Sequence, residues 1–464
     1  MSIFATHRWP YVVAAFLAVG LFLASTVQIS TDPRPLGSAE DIEALSSRDD
    51  LNIVFLLVDT LRADRLGSYG YERDTSPVMD ALAATGIRFG RHLAQSSWTK
   101  ASMASLWTSL YPQRSGVTRF DSRISPDAVM PAEMLRDAGF HTAGIWRNGW
   151  VSGYFGFDQG FDTYYMPRGR PPPATVRREN PTVSSVGTDM DAVEAMQEFV
   201  RINQDHRFFL YVHLMDLHEY LYDEDSALFG TNYSDVYDNS IRRVNAVLEQ
   251  ILLILERTRM RGRTLVIVAS DHGEAFGERG LEGHARAVFR ESTEVPLIIS
   301  LPFRLQGGIV IESRTRNVDL WPTLFAMLGL PAQSEADGVS RLPEILAAAR
   351  GEAQEIGDEP AISHLDTTWG RRDAAPAQTV AVAQGPLRYV RVPQPGRPLE
   401  HLFDTALDPA ELKNVLREHP EEAKELRDAV GRYLELAPPW APAERLQLDE
   451  LQLNQLRALG YSLP

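Results

Sequence analysis

The chain contains no cysteine, which removes disulfides, thiolate metal sites and cysteine nucleophiles together. Positive charge is also scarce: 46 Lys and Arg stand against 62 Asp and Glu, a formal net charge of −16. A field of that sign repels nucleic acid and anionic lipid headgroups, so no nucleic-acid partner is expected, and an anionic ligand needs a local site to hold it. No internal repeat and no long low-complexity tract occurs, which excludes solenoids and arrays. What remains is 464 residues, 44% hydrophobic and 23% charged, an ordinary globular composition able to bury a large core. Length alone does not set the domain count, because large α/β enzymes run this long around one sheet.

One long uncharged run opens the chain: "YVVAAFLAVGLFLASTV", residues 11–27, behind Arg8. As a helix it spans roughly 25 Å at about 1.5 Å per residue, just enough for a membrane core. An uncleaved anchor, a cleaved signal peptide and a buried core helix all accommodate such a run. A basic residue ahead of uniform apolarity at the terminus favours the first two, and Ala24 and Ser25 leave cleavage open. The expectation is an anchor or signal peptide over residues 1–30, contact with the membrane through it, and a body outside the cytoplasm, either at the cell membrane or secreted or periplasmic. The polar stretch that follows, residues 31–50, carries prolines and a glycine and reads as a linker.

From Leu51 the pattern changes. "NIVFLLVD", "FFLYVHL", "TLVIVAS" and "VPLIIS" are short apolar runs of the kind that form strands buried on both faces. Between them, Ile241, Val244, Leu248, Ile251, Leu252 and Leu255 make one apolar helical stripe. Strands alternating with helices predict an α/β fold, a mainly parallel sheet covered on both sides. That body should run over 51–350, with a smaller C-terminal subdomain and helical tail over 351–464.

In open α/β sheets ligands bind beyond the carboxyl ends of the strands. Asp59 ends the first run, and Asp271 and His272 end another, in "VIVASDHGEAFGERGLEGH". Singly, Asp59 could cap a helix and Asp271 could belong to a turn before Gly273. Together, two carboxylates and an imidazole at one sheet edge would hold one divalent cation: Mg, Mn or Ca on the oxygens, with Zn also admitted by the imidazole. His213 lies inside a strand run and reads as a core residue.

The blocks "NIVFLLVDTLRADRLGSYGY", "WTKASMASLWTSLYP", "GFHTAGIWRNGW", "SDHGEAFGERGLEGH" and "HLFDTALDPAELKNV" resemble, in this order, the sulfatase branch of the alkaline phosphatase superfamily. The resemblance implies a mixed, mainly parallel sheet sandwiched between helices, with a small C-terminal sheet domain. Sulfatases carry C/S-x-P-S-R followed by Tyr-Pro, the first residue being oxidised to formylglycine. Laid on this chain, that position is Thr99, with Ala101, Ser102 and Met103 in the next matched places and Tyr111-Pro112 in register.

The frame is therefore present without the formylglycine precursor. A threonine has one hydroxyl, so a covalent ester on it must be resolved by attack of water or an acceptor alcohol on the transferred group. Threonine here resembles the superfamily's phosphodiesterases, phosphoethanolamine transferases and lipoteichoic acid synthases. The resemblance implies a metal set of Asp59, Thr99, Asp271 and His272, with Thr60 where sulfatases usually have a second aspartate. It places His284, 13 residues beyond Asp271, at a substrate-binding lysine position, where it would protonate a leaving oxygen or grip an anionic one. It also places His218, Arg147 and Asn148 near the substrate, with Lys100 beside the nucleophile as a further cation.

The first expectation is cleavage or transfer of phosphate esters, diesters foremost, through a covalent Thr99 intermediate. The alternative is a sulfuric ester hydrolase, and a third reading is an anchored binding protein without catalysis. The anionic ester would belong to a lipid headgroup or a glycan.

Overall fold

Residues 52–58 show why the sheet forms where it does. All seven are buried, and their side chains alternate between two cores: Ile53, Phe55 and Leu57 enter one, Val54, Leu56 and Val58 the other. A strand with both faces apolar requires a cover on each side. The computed structural model describes residues 32–181, 187–354, 357, 359–368, 371, 374–441 and 443–447. The expected anchor and nearly all of the C-terminal leucine-rich stretch lie outside them. Among the described residues no helix is long and apolar enough to cross a membrane.

The strands are β1 (Asn52–Val58), β2 (Ile87–Leu93), β3 (His141–Ile145), β4 (Thr163–Tyr165), β5 (Phe208–Leu214), β6 (Thr264–Ala269), the short pair β7 (Ala275–Phe276) and β8 (Glu282–Gly283), β9 (Leu297–Ser300) and β10 (Ile309–Arg316). Eight of them form one sheet in the order β10-β2-β9-β6-β1-β5-β3-β4. β1 runs parallel to both β5 and β6, and β9 is antiparallel to its neighbours β6 and β2. The sheet is therefore mixed and mainly parallel, with β1 near its centre.

One face is covered by the helices Thr99–Thr108 and Leu320–Met327. There Trp107 stacks on Trp321 with ring centroids 5.3 Å apart, and both meet Phe55 edge-on. The other face carries Asp189–Ile202 and the 25-residue helix Tyr233–Arg257. The apolar stripe expected from the sequence is buried in this second core, with Leu252 half-buried at its margin.

Asn232 starts the long helix, its side chain accepting the Asp235 N–H at 3.0 Å. Asn232→Ala should cost about 1 kcal/mol of unfolding free energy, the usual loss of an N-cap, read by denaturant titration.

One expectation changes. Residues 31–50 are not wholly a linker: Ala39–Ala44 is helical and continues as a 3₁₀ turn over Leu45–Ser47, with Ile42 and Leu45 fully buried. Two apolar residues three apart fall on one helical face, and that face enters the main core. The C-terminal part is a second, smaller sheet, as the resemblance implied, although the apolar pattern there gave only a weak strand signal. β11 (Ala361–Asp366), β12 (Gln378–Gln384), β13 (Leu387–Val392) and β14 (Leu399–Asp404) pair antiparallel in sequence order. The helix Pro420–Leu434 packs Leu426, Val430 and Tyr433 onto Val380, Val382 and Tyr389 of that sheet.

Candidate active site

β1 and β6 are parallel neighbours, so the residues that follow them share one sheet edge. Asp59 and Asp271 are both fully buried there, as is His272. The three offer ligand atoms all within 4.8 Å of one another. Thr99 enters the same place as the first residue of its helix, and its Oγ1 lies 3.1 Å from His272 Nε2. The positive end of the helix dipole therefore faces the cluster.

Hydrogen-bond chemistry decides which atoms are left for a cation. Asp59 Oδ2 accepts from Asn148 Nδ2 at 2.7 Å and from His213 Nε2 at 2.9 Å, whereas buried Oδ1 has no hydrogen-bond partner. Asp271 Oδ1 accepts the Thr60 N–H at 3.4 Å, and its buried Oδ2 likewise has none. His272 Nδ1 lies 3.0 Å from the Gly273 carbonyl, which can only accept, so Nδ1 carries the proton and Nε2 presents a lone pair. The two unpartnered carboxylate oxygens thus converge with Nε2, whose lone pair accepts the Thr99 hydroxyl. This is the arrangement a divalent cation requires, and the residues fit it: Asp59, Asp271 and His272 would hold the ion, with Thr99 Oγ1 beside them.

The electrostatics agree. Burial by itself would raise the Asp59 carboxyl, but His218, His213 and His272 hold it well below the usual carboxylate range. Asp271 moves the other way, raised by burial and then by the charge of Asp59. Two buried carboxylates competing for ionisation need positive charge between them.

The backbone is bent to make this edge. Thr60 has φ 63°, a left-handed conformation that β-branched residues avoid. The turn is held by Tyr237 of the long helix, whose hydroxyl donates to the Thr60 carbonyl at 2.6 Å and accepts the Arg62 N–H at 3.0 Å. That geometry aims the Thr60 N–H at Asp271.

His284 and His218 form the second part of the site. The His284 ring lies 4.7 Å from the ring of His272 and 5.0 Å from that of His218. Its Nδ1 donates to Glu274 Oε2 at 3.0 Å. Burial disfavours its charged form, yet Glu274 outweighs this and raises the His284 pKa. Neither nitrogen of His218 has a hydrogen-bond partner, and burial pushes its pKa down to about 4. The glycine-rich segment that carries His284 folds back as the β7–β8 pair, with Gly277, Gly280 and Gly283 at positive φ.

Two expected substrate contacts are occupied elsewhere. Lys100 is fully buried, and its Nζ donates to the carbonyls of Phe120 at 2.5 Å and Ser122 at 2.8 Å, above the faces of Phe155, Trp98 and Trp150. One position along a helix turns a side chain by roughly 100°, so the neighbour of Thr99 points into the core rather than into the site. Arg147 is taken by two buried carboxylates, Asp189 and Asp216, each 2.8 Å from its Nη1. Asn148, by contrast, sits in the cluster: its Nδ2 also lies 3.4 Å from Thr99 Oγ1, and its Oδ1 accepts the Trp150 N–H at 2.9 Å.

His213 and Glu274 are the residues the sequence reading did not place in the site. His213 is a satisfied core histidine, but what satisfies it is a candidate metal ligand. Its Nδ1 accepts from the Tyr211 hydroxyl at 2.7 Å while Nε2–H holds Asp59. His213→Ala should weaken divalent-ion affinity by about 10–100-fold, the usual effect of losing an outer partner, read by metal titration.

These features bring the donor set of a divalent-cation site, with a hydroxyl beside it, to one edge of a mixed α/β sheet. Residues 51–330 match the sulfatase family model, and the chain belongs to the sulfatase family. It is 26% identical over 346 residues to the N-acetylgalactosamine-6-sulfatase of Sus scrofa, a match covering 64% of this chain and 66% of that protein. The chain thus spans just under two thirds of that relative's length. Among solved structures, a 2-O GAG sulfatase superposes with a TM-score of 0.67 at 17% identity, covering 83% of this chain and 92% of that one. The phosphonate monoester hydrolase of Agrobacterium radiobacter gives 0.64 at 19% identity, covering 82% and 95%. These likenesses fix the fold. The relatives named are sulfatases and one phosphonate monoester hydrolase.

Proposed function

We propose that the chain hydrolyses a sulfuric ester, with Thr99 as the nucleophile. The observation that carries this is the meeting of Thr99 Oγ1, hydrogen-bonded to His272 Nε2, with two unpartnered carboxylate oxygens, on Asp59 and Asp271, in one buried cluster. A divalent ion bound there would supply positive charge against the ester's oxygens and lower the hydroxyl pKa.

The chain's own residues do the rest. Asn148 orients Oγ1 through Nδ2, and the N-terminus of the Thr99 helix faces the charge that builds on the transferring group. The Thr99 oxygen attacks sulfur as its hydroxyl proton passes to solvent, the bond from sulfur to the substrate oxygen breaks, and the alcohol leaves with a proton from His284. Glu274 makes His284 hold that proton more firmly than an ordinary imidazole does. Water then attacks the sulfur of the Thr99 ester and gives a proton back to His284, and sulfate leaves with Thr99 restored. The names of the relatives support a sulfated sugar as the substrate class.

A second reading has a specific observation behind it. Thr99 lacks the geminal diol that lets a formylglycine site expel sulfate by elimination, and resolution by water attack suits phosphorus as well as sulfur. The phosphonate monoester hydrolase among the structural relatives points the same way. The full-length protein should be loaded with each of Mg, Mn, Ca and Zn and assayed on aryl sulfate, aryl phosphonate monoester and aryl phosphodiester. The highest kcat/KM on the sulfate supports the main reading, and a preference for phosphonate or phosphodiester supports the second. Failure to turn over any of the three with every ion would overturn both.

A further inference from the structure

Stretches of chain far apart in sequence meet at one buried charge, the ammonium of Lys100. The loop 120–122 gives it two carbonyls, Phe120 at 2.5 Å and Ser122 at 2.8 Å from Nζ. Trp98, just before the Thr99 helix, and the 3₁₀ turns Gly149–Val151 and Gly153–Phe155 give it aromatic faces. Nζ stands 4.0 Å from the ring centroid of Phe155, 5.2 Å from that of Trp150 and 5.4 Å from that of Trp98. Trp98 and Trp150 also meet each other edge-on at 5.2 Å. An ammonium attracts the electron-rich faces of such rings, and more strongly where water is excluded.

The segments joined in this way both belong to the catalytic cluster. Trp98 is the cap of the helix whose first residue is Thr99. Trp150 donates its backbone N–H to Asn148 Oδ1 at 2.9 Å, and Asn148 Nδ2 donates to Asp59 Oδ2 at 2.7 Å and lies 3.4 Å from Thr99 Oγ1. Lys100 thus ties the segment that holds the hydroxyl to the segment that orients it. Filling the space does not require a charge. Taking an ammonium out of water is costly, and an apolar side chain of similar length would occupy the same volume without that cost.

We propose that Lys100 is a positioning residue for the reaction at Thr99: its ammonium fixes Trp98 against Trp150 and thereby sets the distance between Thr99 Oγ1 and Asn148 Nδ2. Nζ points away from the cluster and acts through the two tryptophans. The kinetic consequence rests on the proposed role of Thr99 as nucleophile, whereas the geometric one holds whichever ester is cleaved. A reacting group misplaced by about 1 Å loses about a hundredfold in rate, which bounds the effect expected of an intact but loosened site.

The test uses the full-length, metal-loaded protein and whichever of aryl sulfate, aryl phosphonate monoester and aryl phosphodiester it turns over fastest. Lys100→Met keeps a side chain of similar length and removes the charge. Its kcat, counted per equivalent of bound metal, should fall by about tenfold to a hundredfold with KM within about twofold of wild type. Lys100→Gln keeps donors for the two carbonyls without the charge; it should show the same loss, and it serves if the methionine variant does not fold. In an Asn148→Ala background the Lys100→Met penalty should shrink to about twofold, because the path through Asn148 is already broken, whereas a merely structural role gives the same penalty in both backgrounds. Crystal structures of wild type and variant should show Oγ1 and Nδ2 drawn apart by about 1 Å. An unchanged kcat, a penalty that persists in full without Asn148, or an Oγ1–Nδ2 distance unaltered in the variant overturns the proposal. Absence of turnover in the wild type overturns the proposed function instead, and the crystallographic comparison then decides this inference alone.

Discussion

Thr99→Ala should lower kcat by at least about a thousandfold, near 4 kcal/mol of transition-state stabilisation, with metal content and melting temperature close to wild type. Thr99 is fully buried at the first position of its helix, so removal of its hydroxyl and methyl leaves the backbone unaffected. The Asp59, Asp271 and His272 lone pairs do not rely on Oγ1 for their orientation, because Asn148, His213, Thr60 and Gly273 hold them. Thr99→Ser keeps an attacking oxygen but loses the branched Cβ that restricts its rotamer, so activity should fall by roughly tenfold or less. Stopping the wild-type reaction during turnover and analysing peptides by mass spectrometry should find the transferred group on Thr99. An alanine variant that keeps wild-type kcat removes Thr99 from the chemistry and leaves only a directly attacking water.

The central sheet was legible in the sequence because its strands are buried on both faces. Runs such as "NIVFLLV" and "FFLYVHL" have no other stable place in a folded chain. The helix Ala39–Ala44 was not, because its buried face amounts to two apolar residues among charged ones, and proline and glycine nearby dominate the local composition. The C-terminal sheet was faint for a related reason. Strands such as "LEHLFD" are only partly buried and carry charged residues, so they lack the continuous apolar signal of the central sheet.

The site divides in the same way. Asp59, Asp271 and His272 follow from one rule, a polar residue ending an apolar strand run. That rule applied to β5 would also have drawn His213 towards Asp59, since His213 sits one residue from the end of "FFLYVHL" beside β1. The positions of Lys100 and Arg147 were not readable from spacing. Each is a cation close in sequence to a site residue, and what decides its direction is tertiary: the carbonyls of Phe120 and Ser122 for one, the carboxylates of Asp189 and Asp216 for the other. A buried cation goes where its charge or its protons are satisfied, and those partners lie far along the chain.

Asp59→Asn should cost more than about a hundredfold in divalent-ion affinity, beyond the 10–100-fold typical of an outer partner such as His213. The amide cannot satisfy the donor side and the cation side at once. With its oxygen towards Asn148 and His213, as Oδ2 is now, its NH₂ points donors into the space shared with Asp271 and His272. With the amide flipped, its NH₂ faces two donors and leaves their protons unpaired. Either orientation removes the negative charge that a cation needs. Metal analysis of the purified full-length protein should give one equivalent in wild type and far less in the variant. A ligand that binds only the folded state adds about 2.7 kcal/mol at a hundredfold excess over its Kd, so the wild type should melt higher with metal and lose that margin in chelator. In chelator the two proteins should approach each other, because the variant has also lost the repulsion between two buried carboxylates. A variant that keeps one equivalent of tightly held metal would place the ion elsewhere and dissolve the cluster as a catalytic centre.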